Sequence, residues 1–375
     1  MSKDMPQSGY IEDCNSPGYD VLSRRYADLW RGITPDAEHY ENMRKAYMEW
    51  CLALRDAGLK PDQGSAVLLG PGYGVAQNRE LEPGWVHVHV AAHPRLVVAD
   101  FSREALVDAF HSLKVASRRI RPENIRLMRR DFSGGLSTRL ESMIGSRLDA
   151  ITDVHQFKDF MLWLEKDVGV EEVSRQAIQC GPTREGHLDV IGTDRDQLLC
   201  FRNILQGTAD VRFVMANGVF SGVFFTTEDA FREKLMHFAE ANPEQVTRDD
   251  VLLYMHIWHS LITDLIDEVT VNALQSLAQS HPDAHVFCTV DRTAQYDGLD
   301  DYPRMNLDAI RGRLVQHYSI RVAQTWTLDD STQTPPHKHA VCALEINPIN
   351  YEDEDEDEDD DEQHDPISDP DEHVA

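Results

Sequence analysis

Residues Val67-Leu68-Leu69-Gly70-Pro71-Gly72-Tyr73-Gly74 lead an apolar run into glycines at alternate positions, the pattern of a buried strand that turns tightly beside a ligand. Without a Cβ at these positions the main chain can approach a nucleotide-like group directly. The spacing is G-x-G-x-G. The phosphate fingerprint of dinucleotide sites, G-x-G-x-x-G, requires a glycine where this chain has Val75, which argues against NAD. Arg95-Leu96-Val97-Val98-Ala99-Asp100 repeats the pattern of an apolar strand closed by a carboxylate, and an acidic side chain there can accept hydrogen bonds from both ribose hydroxyls. Together the two stretches fit a nucleoside without a pyrophosphate.

The elements that would position these groups recur in order along the chain. Ile125-Arg126-Leu127-Met128-Arg129-Arg130-Asp131-Phe132, Val211-Arg212-Phe213-Val214-Met215-Ala216-Asn217 and His285-Val286-Phe287-Cys288-Thr289-Val290 read as three further strands, and Ile320 to Leu328 and Val341 to Ile346 as two more. Over about residues 61 to 349 this series resembles the class I S-adenosylmethionine-dependent methyltransferases. The resemblance implies an α/β fold: a Rossmann-like seven-stranded sheet with helices on both faces, whose last two strands are antiparallel. It implies S-adenosyl-L-methionine as cofactor, with Gly70, Gly72 and Gly74 approaching it beside Pro71. Asp100, followed by Phe101, would bind ribose, and Asp131 with Phe132 would bracket adenine. Tyr19, Asn217 and His256 would face the reacting end.

Two stretches depart from the family pattern. Pro83-Gly84 cuts the first helix to about residues 75 to 82, and Trp85 to Val90 alternates like an additional strand. Residues of about 150 to 209 are too many for a loop and helix and are expected to form an insertion, either a lid or a substrate-recognition element.

Helical spacing is expected from Tyr19 through Trp30 and again from Pro35 to Ala57. These make an N-terminal helical cap over residues 19 to 60. Tyr19 resembles the cofactor-closing tyrosine of the family, whereas Tyr26 and Trp30 read as core residues. Met43, Tyr47, Trp50 and Leu54 fall on one stripe, most simply a buried face. A long helix beginning near Val251 carries His256 and His259 at i and i+3. Each is either a group that removes a proton from an acceptor hydroxyl or amine, or a half-buried packing histidine. Asn217 stands at a strand's carboxyl end, where open α/β sheets bind ligands, and would position cofactor or acceptor.

Other clusters are read as surface. His87, His89 and His93 lack a Cys or carboxylate to complete a set, so no metal is expected. Arg118, Arg119, Arg121, Arg126, Arg129 and Arg130 form a basic run in sequence, but the acidic body disfavours nucleic acid. The G-x-S-x-G signature of a serine hydrolase is absent.

The chain has 375 residues and a net charge of −29, of which residues 351 to 375 supply 15 acidic groups and no Lys or Arg, leaving −14 for the rest. The run Glu352 to Glu362 repels itself and lacks apolar side chains, so a disordered tail is expected, a solubilising appendage or a dock for a basic partner. Residues 1 to 18 are polar, broken by Pro and Gly, and read as flexible. Six scattered cysteines without a C-x-x-C pair fit free thiols in a reducing, cytoplasmic compartment, and no apolar run approaches a membrane span. A cap and a lid would enclose a small-molecule acceptor. Methylation of protein or RNA, a non-catalytic cofactor-binding regulator and an NAD-dependent oxidoreductase stay open beside this reading.

Overall fold

The computed structural model describes residues 11–13, 37–59, 64–70, 95–100, 102–116, 124–129, 133, 136–169, 208–296, 301–330 and 337–349. Its strands are β1 (Ile11–Asp13), β2 (Ser65–Leu69), β3 (Arg95–Asp100), β4 (Ile125–Arg129), β5 (Val211–Asn217), β6 (His285–Tyr296), β7 (Asp301–Pro303), β8 (Tyr318–Asp330) and β9 (His337–Pro348). They form one mixed sheet in the order β1-β4-β3-β2-β5-β6-β9-β8, with β7 attached to β6. The pairs from β1 through β6 are parallel, while β9 runs antiparallel to both β6 and β8. The result is an α/β architecture compatible with a Rossmann-like fold.

Every residue of β2 is buried, so its sequence shows a continuous apolar run rather than alternation, as a parallel strand covered on both faces requires. The alternation reappears in the packing. Ala66 and Leu68 face the cluster that contains α1 (Ala37–Asp56) and α2 (Arg103–Ala116), whereas Val67 and Leu69 face the larger core. That core is built with α3 (Leu136–Leu140), a π-helical turn (Glu141–Gly145), α4 (Ser146–Ala150), α5 (Val154–Asp167), α6 (Val219–Gly222), α7 (Phe225–Ala241), α8 (Arg248–Ser280) and α9 (Leu307–Leu314).

The expected stripe of Met43, Tyr47, Trp50 and Leu54 is buried as a unit. Tyr47 and Trp50 meet Phe287 of β6 at ring-centroid distances of 5.3 and 5.5 Å. Trp326 Nε1 of β8 donates to His39 Nδ1 at 2.9 Å. Helix α1 therefore lies flat on a sheet face, where apolar rings can be covered, and is a layer of the fold rather than a cap across the strand ends.

Helix α8 begins at Arg248, three residues before the expected start, because Thr247 and Asp250 form a reciprocal capping box: Asp250 N donates to Thr247 Oγ1 and Thr247 N to Asp250 Oδ2. Strands β8 and β9 extend past the expected bounds, since antiparallel pairing satisfies each added residue's main chain. Two further differences concern segments expected to stand apart. Ile11–Asp13, within the stretch read as flexible, pairs with β4, because a parallel edge offers unpaired main-chain groups to any adjacent extended segment. The first helix of the expected insertion, α5, buries Phe157, Phe160, Met161 and Leu164 in the main core. Phe157 contacts Phe231, Phe238 and Tyr254, so this part is structural core, not a lid.

Gly70 follows β2 with φ +57°, and a Cβ built on it would run into Val219 Cγ2. Gly218 has φ +62° but open space around such a Cβ. Gly70→Ala should therefore lower stability by about 2 kcal/mol or more, and Gly218→Ala by about 1 kcal/mol, from the positive φ alone. Urea denaturation of both variants checks the order; equal losses would remove the steric role of Val219.

Candidate functional site

Chain direction across the sheet reverses between β2 and β5: from β2 the chain proceeds to β3 and β4 on one side, then returns to β5 and β6 on the other. The edge outside the carboxyl ends of the strands at such a reversal is the usual ligand position in open α/β sheets. Gly70, Asp100, Asn217 and Thr289 all stand at that edge, at or just after the ends of the parallel pairing.

Asp100 is 2% exposed. Its Oδ1 accepts from Ser102 N at 2.7 Å, and Ser102 Oγ in turn accepts from Ala105 N at 3.3 Å, capping the first turn of α2. The carboxylate thus orders the entry to α2 while standing at the end of β3. Gly70 N donates to Ala99 O at 2.9 Å, tying the turn after β2 to the same point. The requirement for glycine at 70 comes from the close approach of Val219, a protein contact rather than a ligand cradle.

Asn217 closes β5, and its Oδ1 is buried with no hydrogen-bond partner among the described residues. A buried acceptor without a donor is costly in a folded chain, of order 1–3 kcal/mol, and calls for an account. The next residue, Gly218, donates its N–H to both Thr289 O (2.8 Å) and Thr289 Oγ1 (3.1 Å), locking the turn into α6 where the parallel pairing of β5 and β6 ends. Two residues beyond Thr289, Asp291 N donates to Ser221 Oγ at 3.0 Å, and Asp291 Oδ2 lies 3.3 Å from Ser221 Oγ and 3.7 Å from His339 Nδ1.

The two histidines of α8 do not share an environment. His256 is exposed and His259 is 1% exposed, because the 60° offset between i and i+3 carries the first past the edge of the buried stripe. His259 stacks on Tyr302 with centroids 4.7 Å apart and planes 15° apart. Burial drives its pKa down to about 4; Glu228 opposes this, and Arg304, His339 and Arg232 add to it. It belongs to a buried polar network beneath the site. At the centre of that network Arg304 Nη1 donates to both carboxylate oxygens of Glu228, at 2.5 and 2.6 Å, and Nη2 to Ser221 O at 2.8 Å. Both side chains are essentially inaccessible, 0% and 4% exposed.

The structure therefore brings Gly70, Asp100 and Asn217 to one edge, places His259 behind it and leaves His256 in solvent on the helix surface. Tyr19, Pro71, Gly72, Gly74, Phe101, Asp131, Phe132 and the His87, His89 and His93 group lie outside the described residues. Sequence reasoning missed Ser221, Glu228, Asp291, Arg304 and His339. Asp291 alone had a local signal, a carboxylate just past an apolar strand like Asp100, which was passed over because the strand was ended at Val290. Among the described residues no group of three or more His, Cys, Asp or Glu is placed to hold a metal ion, and no helix is long and apolar enough to cross a membrane. No protein-family model matches the chain, and no curated protein matches it either.

Removing one partner of the Glu228–Arg304 pair leaves an uncompensated buried charge. Glu228→Gln should cost about 3–5 kcal/mol, measured by chemical denaturation. His259 titrates near 4 in the folded chain against 6.5 unfolded, so its contribution is fully present above pH 6.5 and is lost as pH falls through about 4. The loss should reach about 3 kcal/mol. In His259→Phe, which keeps a ring against Tyr302, the stability curve between pH 7 and 4 should flatten by that amount; an unchanged acid limb would show that other groups produce it.

Proposed function

We propose that this chain is an S-adenosyl-L-methionine-dependent methyltransferase acting on a small-molecule acceptor. The observation that supports the reading is the mixed nine-stranded sheet in which β2 to β6 run parallel and β9 runs antiparallel beside β6, an α/β arrangement compatible with the Rossmann-like fold that the resemblance implies. The glycine-ended strand β2 and the carboxylate-ended strand β3 then adjoin at the switch point, as recognition of a ribose requires. The antiparallel closing strands and Val75 count against a dehydrogenase.

Two described strand-end residues suit the cofactor. The carboxylate of Asp100 stands at the carboxyl end of β3, where it would accept the ribose hydroxyls. The buried, unpartnered Oδ1 of Asn217 at the neighbouring strand end would receive a donor from cofactor or acceptor. When bound, S-adenosyl-L-methionine supplies a methyl group already activated by the sulfonium charge. The protein's task is then to align the acceptor and exclude water, with proton removal secondary. His259 is a poor candidate for that proton, being buried and depressed to about 4, and His256 is on the solvent face.

Calorimetric titration with S-adenosylmethionine, S-adenosylhomocysteine and NADH tests the cofactor class. Micromolar binding of the first two alone is the expected result, and binding of NADH alone would overturn it. Asp100→Ala should weaken S-adenosylhomocysteine by about 100-fold, the loss of a charge-assisted pair of hydrogen bonds. Asp100→Asn keeps an acceptor for Ser102 N and separates loss of the ribose contact from disturbance of α2.

A further inference from the structure

Beyond the parallel part of β6 the pairing with β9 slips. Asp291 stands opposite Val341 and Thr293 opposite Ala340, so Arg292 is the extra residue of a β-bulge. Bulges at strand ends re-aim the side chains beside them. Here the bulge is held from outside the ladder, since Arg304 N donates to Arg292 O at 2.8 Å. The side chain of Asp291 just before it remains 24% exposed.

Its two carboxylate oxygens are treated differently. Oδ2 is held by Ser221 Oγ and faces His339 Nδ1, whose side chain is 6% exposed. Oδ1 has no hydrogen-bond partner among the described residues. Arg304 of the neighbouring network is committed to Glu228 and to Ser221 O, while Arg292 and Arg311 share with Asp291 the surroundings of Cys342 without a hydrogen bond to it. Asp291 is thus a partly exposed carboxylate with one oxygen anchored and the other without a partner among the described residues.

Its place matters as much as its orientation. Asn217 is directly paired with Thr289, and Asp291 is two residues further along, so strand spacing and rise put the Cα atoms of Asn217 and Asp291 about 8 Å apart on the same side of the sheet. That span is of the size of a small molecule's functional end.

We propose that Asp291 is the acceptor-binding carboxylate of this site and that its ligand is an amine-bearing small molecule. An ionised carboxylate is acceptor-only, so the group it receives must donate hydrogen bonds, and a cationic donor gains roughly twice what a neutral one does. The acidic body of the chain favours the same sign of ligand. The inference rests on the methyltransferase reading, which supplies the second ligand and the reason for an open carboxylate beside Asn217.

The test uses the full chain saturated with S-adenosylhomocysteine. It is titrated calorimetrically with agmatine, putrescine and phenethylamine, and with 1,4-butanediol, succinate and 2-phenylethanol as uncharged or anionic counterparts. At least one amine should bind about tenfold or more tightly than its counterpart. Asp291→Asn, and Asp291→Ser as a second variant, should each weaken that amine by about tenfold, the worth of one charge-assisted hydrogen bond. Both should leave S-adenosylhomocysteine affinity within about twofold and the melting temperature near that of the parent. Preference for a counterpart, amine binding indifferent to both substitutions, or no amine bound by a chain that does bind S-adenosylhomocysteine would overturn the assignment of Asp291. Failure to bind S-adenosylhomocysteine at all would instead overturn the methyltransferase reading, and this assignment with it.

Discussion

Strand β2 pairs in parallel with β3 on one side and β5 on the other, and this double pairing is the constraint from which the rest of the architecture follows. A parallel pair cannot be closed by a tight turn, so each neighbour must be reached through a crossover that covers a face of the sheet. Both faces of β2 are consequently buried, and the chain must leave it in two directions. The point where those directions part is the strand-end edge at which Gly70, Asp100 and Asn217 stand. The close approach of Val219 to Gly70 expresses the same constraint at atomic scale: the turns after β2 and β5 share so little space that one of them must lack a side chain.

Behind this edge the protein buries charge. Glu228 of α7 and Arg304, just after β7, neutralise each other, and the guanidinium also takes the carbonyl of Ser221 in α6. Apolar residues of similar volume would pack as well and cost less desolvation. What the ionic arrangement adds is direction, because a bidentate guanidinium fixes three elements in one geometry. Ser221 presents its carbonyl to that network and its hydroxyl to Asp291. The orientation of the partly exposed carboxylate is thereby linked to a part of the molecule that solvent does not reach.

The readability of this chain followed the range of the interactions concerned. β2 through β6 were legible because a strand buried on both faces must be apolar over its whole length, and Asp100 because a carboxylate ending such a run is unusual. The stripe of Met43, Tyr47, Trp50 and Leu54 was legible because helical period is local. What that stripe covers was not: a helix sequence says that it has an apolar face, and only the rings of Phe213 and Phe287 on the adjoining sheet face decide that α1 is a layer and not a cap. The apolar face of α5 was likewise present in sequence but was assigned to an insertion, since nothing within residues 150 to 209 reveals that Phe231, Phe238 and Tyr254 await it.

The sequence by itself determined strands β2 to β6, β8 and β9 in their order along the chain, helices α1 and α8, and the carboxylate at the end of β3, all of which depend on neighbours within a turn or a strand's length. Tertiary structure alone decided that His259 is buried and His256 is not, that Gly70 is required by Val219, and that Asp291, Ser221 and His339 meet. Those outcomes depend on contacts between residues as far apart as 43 positions for His259 and Tyr302 and 149 for Gly70 and Val219, and no local period or spacing encodes which distant side chain will arrive.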